Sequence, residues 1–132
     1  MSFLALAALS LACGPKRGAA PAPPDATYTL RGEIVRLPAA AGGELSFHHE
    51  AVPGFRDAQG RVVGMASMTM PFATAPELDL SDLAVGDRVE LDFEVRWNGR
   101  GAPLRVVRIV RLAPGTRLGF DPPAQSGGET PR

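Results

Sequence analysis

Three of the four methionines, Met65, Met68 and Met70, lie within one short segment, and the only two histidines, His48 and His49, stand side by side upstream of it. Thioether sulfur is soft and uncharged, so it selects Cu(I) or Ag(I) and holds hard ions such as Mg²⁺ or Ca²⁺ poorly. Zn(II) asks for thiolates or several imidazoles, and the single cysteine, Cys13, lies far from this segment in the chain. In an extended strand the sulfurs of Met68 and Met70 share one face, with Thr69 on the other. Their roots are then roughly 7 Å apart, and two flexible arms can converge on one ion. A histidine at the end of a neighbouring antiparallel strand can face Met68 or Met70, which makes His49 the nitrogen ligand. Met65, where the chain leaves a loop, can cap the site. Methionine also fills irregular cores well, and a histidine on an apolar face is often structural. The clustering of every internal thioether beside an imidazole favours ligands over packing. His48 points the other way and is expected in solvent, and Trp97 is expected to pack. Because only His49 titrates, such a site should hold metal at neutral pH and weaken near or below about pH 6.

The elements that must position these residues read as short strands. Tyr28 to Leu37 is a long β-rich run, in which Gly32 marks a bend or bulge. Leu45, Phe47 and His49 share one face of a second strand, and Ser46 and His48 share the other. A loop from Glu50 to Gly64 leads to a third strand from Met65 to about Thr74. Residues 77–83 read as a short helical turn or loop. Val85-Gly86-Asp87 turns the chain into a fourth strand, where Val89, Leu91, Phe93 and Val95 alternate with charged residues. Asn98-Gly99 signals a hairpin into a fifth strand, Leu104 to Leu112. Five closely spaced strands with one apolar face predict an all-β fold, a small five-stranded barrel of the oligonucleotide/oligosaccharide-binding (OB) type, since closure removes exposed edges.

The ends of the chain do not read as folded domain. Residues 1–12 form a short apolar run too brief for a membrane span, which needs about twenty residues, and read as a secretory signal peptide. The Leu-Ser-Leu-Ala-Cys sequence resembles a bacterial lipoprotein cleavage site, with Cys13 as the lipidated residue. Residues 13–26 are a Pro/Ala-rich tether, 27–113 the barrel, and 114–132 a tail rich in Pro, Gly and Ser that is expected to be disordered. Fourteen basic residues balance fourteen acidic ones without a dense basic run, so nucleic acid is not an expected partner. No nucleophile–base pair or paired carboxylate stands out, and the chain does not read as an enzyme.

Three segments then carry a resemblance that spans the whole expected barrel: His49-Glu50-Ala51-Val52-Pro53-Gly54-Phe55, Met65-Ala66-Ser67-Met68-Thr69-Met70-Pro71-Phe72, and Val85-Gly86-Asp87-Arg88-Val89. They resemble the CusF-like periplasmic copper/silver-binding proteins. The resemblance implies an OB-like barrel that binds Cu(I) or Ag(I) through one histidine and a Met-x-Met pair, which match His49, Met68 and Met70. It implies a periplasmic metallochaperone that delivers its ion to an efflux system. The chain is further expected to be a monomer, to hand its ion to a metal-efflux or copper-delivery protein, and to reach the membrane only through a lipid anchor on Cys13. Some members carry tryptophan three residues before the first motif methionine; here that position is Met65, a third thioether. Residues 56–64 look inserted between Phe55 and Met65, as an exposed flap. The competing reading is an OB-like lipoprotein accessory domain that binds a protein partner and no metal.

Overall fold

The alternation that marks β4 in the sequence is also its burial pattern. In this computed structural model, which describes residues 22–120, the strands are β1 (Ala26–Arg36), β2 (Glu44–His49), β3 (Met68–Thr74), β4 (Arg88–Val95) and β5 (Leu104–Arg111). Val89, Leu91, Phe93 and Val95 are fully buried, while the residues between them face outward. With Phe47, Phe72, Ile34 and Leu45 they fill one core, and burying each such side chain is worth about 1.5–3 kcal/mol. On the outer face Arg108 bridges Glu90 at 3.3 Å and Asp92 at 3.4 Å, pairs too exposed to contribute more than about 1 kcal/mol each.

The strands close in the order β1-β2-β3-β5-β4, a five-stranded OB-like barrel. β1 runs antiparallel to both β2 and β4, which lets this 11-residue strand serve as the spine of the barrel. The seam between β3 and β5 is parallel and holds only Ala73 to Arg105 and Thr74 to Val106. Met68 through Phe72 therefore have β2 on one side and no strand pairing on the other.

Gly32 serves close approach, where the sequence suggested a bulge; the register shift of β1 falls later, between Ile34 and Arg36. A Cβ at Gly32 would lie 2.1 Å from the His48 carbonyl oxygen and 2.7 Å from Cζ of Phe47. Only a hydrogen fits between the two strands there. Gly32→Ala is expected to destabilise the barrel by about 3 kcal/mol, measured as a lowered urea midpoint, because β2's backbone must shift.

Two further elements differ from the expected pattern. The third strand starts at Met68, three residues later than predicted. Met65 instead exchanges backbone hydrogen bonds with Val52 at 2.8 and 2.9 Å in an isolated bridge, and the chain bends before β3. Between them, residues 56–64 form a small turn. The Asp57 carboxylate accepts from the N–H groups of Gln59 and Arg61, both at 2.9 Å, and Arg56 bridges Val62. Phe55, at the base of this turn, is buried against Tyr28 and Trp97. The second difference lies past β5. Residues 113–120, assigned by composition to the barrel's last residue and the tail, turn at Pro114-Gly115 and run back over β2. The expected signal peptide, Cys13, most of the tether and residues 121–132 lie outside the described residues.

Candidate metal centre

β2 ends at His49 and β3 begins at Met68, and the antiparallel register sets these two directly opposite each other. Phe47 faces Met70, and Leu45 faces Phe72, so all six side chains belong to the barrel's inner face. The inner face reaches the surface at this end. His49 is fully buried, with its ring edge-on to Phe72 at 6.0 Å. Met68 is 42% exposed. Met70 is half-buried against the core and lines a groove with Pro71, Pro103 and Leu104, where the β3–β5 seam opens. Met68 and Met70 thus stand two residues apart on one strand, the first exposed and the second half-buried against the core.

The imidazole has one fixed end and one free end. Nδ1 lies 2.7 Å from the Glu50 carbonyl oxygen, which can only accept, so Nδ1 carries the hydrogen and Nε2 the lone pair. Nε2 is buried and finds no hydrogen-bond partner among the described residues. Leaving such an atom unpaired costs about 1–3 kcal/mol, and a bound soft cation would repay that cost. Burial disfavours the imidazolium and is the largest influence on His49. Its hydrogen bond to the Glu50 carbonyl works against this, and the neighbouring His48 adds a smaller push downward. The net pKa lies below the ordinary 6.5.

That direction moves the expected acid limit of metal binding downward. Below the His49 pKa a proton on Nε2 would compete with an ion for that lone pair; above it, affinity should be flat, since thioethers do not titrate. The same shift predicts a pH-dependent fold. Between the lowered folded value and the unfolded 6.5, the unfolded chain binds more protons, so stability falls as pH drops through that window. Urea denaturation of the metal-free chain from about pH 8 to pH 5 should show this loss, and His49→Leu should remove it.

Met65, the proposed cap, is half-buried and packs against the core beside Val52. The structure brings it to the loop above the mouth, outside the β2–β3 ladder. His48 faces outward as expected but is half-buried, because Phe120 covers it at a ring separation of 4.2 Å. Trp97 packs on Phe55. Sequence reading missed Glu50 as more than a neighbour. Its N–H donates to the Arg31 carbonyl at 2.9 Å, and its carboxylate accepts from Arg31 at 3.0 Å and from the Gly119 N–H at 2.6 Å. An acidic residue directly after His49 was the only signal in the sequence. Among the described residues, no three His, Cys, Asp or Glu side chains gather as a metal site.

One end of this small closed β-barrel sets a buried imidazole in register opposite a methionine. Residues 27–111 match the family described as "Copper binding periplasmic protein CusF", and the chain belongs to that family. Two solved structures are similar. The 1.5 Å structure of apo-CusF residues 6–88 from Escherichia coli is 20% identical, with a TM-score of 0.49, covering 74% of this chain and 99% of that one. The crystal structure of Ag(I)CusF is also 20% identical, with a TM-score of 0.45, covering 66% and 99%. No curated protein matches the chain.

Proposed function

We propose that this protein is a periplasmic carrier of Cu(I) or Ag(I) that holds one ion between His49 Nε2 and the sulfurs of Met68 and Met70. The observation that supports it best is the buried, unpartnered Nε2 set in register opposite Met68. The donor set fits a soft monovalent ion: one neutral imidazole and thioethers. Met65 supplies an outer thioether on the loop side. The exposure of Met68 keeps the ion reachable, so that an incoming soft ligand can displace one thioether before the next lets go. Membership in a copper-binding periplasmic family supports the compartment and the ion.

The carrier passes its ion to a periplasmic efflux or delivery protein, acts as a monomer, and is held to the membrane by a lipid on Cys13. Residues 1–12 serve as the signal peptide, 13–26 as the tether and 27–113 as the metal-binding barrel. Anaerobic Cu(I) titration of the chain against a coloured chelator tests the reading. One ion bound per chain, in competition with the chelator, is the expected result. No binding would overturn it and return the methionines to packing.

A further inference from the structure

The segment after β5 lies beyond the family match, which ends at residue 111, yet it contacts the end of β2 that carries His49. It leaves β5 with the Leu112 N–H donating to the Arg88 carbonyl, and the Arg88 side chain donates in turn to the Thr116 carbonyl. It then delivers the Gly119 N–H to the Glu50 carboxylate and lays Phe120 on His48, at a sequence distance of 69 residues for the first contact. Gly119 suits this approach. A Cβ there would sit 3.1 Å from Glu50 Oε2, tighter than an ordinary contact.

We propose that residues 113–120 form a strap that positions His49 through Glu50. The inference rests on the metal reading above. Glu50 is held at its N–H by the Arg31 carbonyl, and its carboxylate is held between the Arg31 side chain and Gly119. The carbonyl of that same residue sets which ring nitrogen of His49 carries hydrogen. On the outer face Phe120 pins His48, the residue before the ligand. The outer partner of the ligating histidine is Glu50, and the strap holds that partner in place; loss of such outer support typically weakens metal binding tenfold or more. Gly119, Phe120 and Glu50 are positioning residues and do not touch the ion.

The test uses the full chain carrying Gly119→Pro with Phe120→Ala. The first change removes the N–H donor and the second removes the ring. Cu(I) affinity is expected to fall by about tenfold. In the metal-free chain, the ¹⁵N resonances of the His49 ring should move from a single Nδ1–H form toward a mixture of both tautomers. Arg31→Met, which loosens Glu50 from the other side, should shift the same resonances in the same direction. A variant with a lower thermal midpoint but unchanged affinity and unchanged ring resonances would reduce the strap to a stabilising contact and overturn the proposal. If the unmodified chain bound no Cu(I), the metal reading would fall and the strap with it. Binding by the unmodified chain, undiminished in the variant, would overturn the strap alone.

Discussion

Replacing Met68 and Met70 together by leucine is expected to weaken Cu(I) binding more than about a hundredfold, or about 2.7 kcal/mol, with the barrel still folded. Leucine keeps the apolar bulk that Met70 lends the core, and such a swap usually costs less than about 1.5 kcal/mol. Met68 is exposed, so its change costs less still. What leucine cannot supply is a sulfur lone pair, and with both gone the mouth offers a single imidazole and the outlying Met65. Chelator competition reads the affinity and circular dichroism reads the fold. Retained tight binding in the double variant would move the site elsewhere.

His49→Leu should likewise separate function from stability. It removes the only nitrogen donor, so Cu(I) should no longer raise the thermal midpoint. At free Cu(I) about 100 times Kd, the unmodified chain gains about 2.7 kcal/mol from binding, and the variant should gain nothing measurable. Without metal, the variant should stay within about 1 kcal/mol of the unmodified chain. It loses the Nδ1 bond to the Glu50 carbonyl but is also relieved of a buried Nε2 with no partner. A large drop in metal-free stability would mean that the imidazole is there mainly to hold the fold. Calorimetry with and without Cu(I) decides between these.

The inner face of the site was legible from strand period alone. Leu45, Phe47 and His49 alternate with polar residues in the sequence, and all three are fully buried. Given antiparallel pairing of β2 with β3, the sequence set His49 opposite Met68 or Met70, and the register puts it opposite Met68. What stayed hidden depends on contacts between distant parts of the chain. The role of Gly32 follows from how closely β2's backbone passes, which no local pattern encodes. Met65 reads as strand by composition, but the bridge to Val52 captures its backbone before β3 can include it. The Glu50 clamp joins residues 31, 50 and 119, and the last of these sits in a Pro/Gly stretch whose composition argues for disorder. Composition reports that such a stretch lacks a core of its own; it is silent on whether a neighbouring barrel offers it hydrogen bonds.

The short β3–β5 seam has a consequence for timing. The half of β3 that carries Met68 and Met70 is laddered on one side only, and Pro71 within it has no N–H to give. Segments with few shared backbone bonds open locally at far lower free energy than the whole fold. The ligand strand can therefore breathe while β1, β4 and the core they share stay shut. On the proposed reading, the residence time of the ion and the lifetime of the barrel would be set by different parts of the molecule, so one could be short while the other is long.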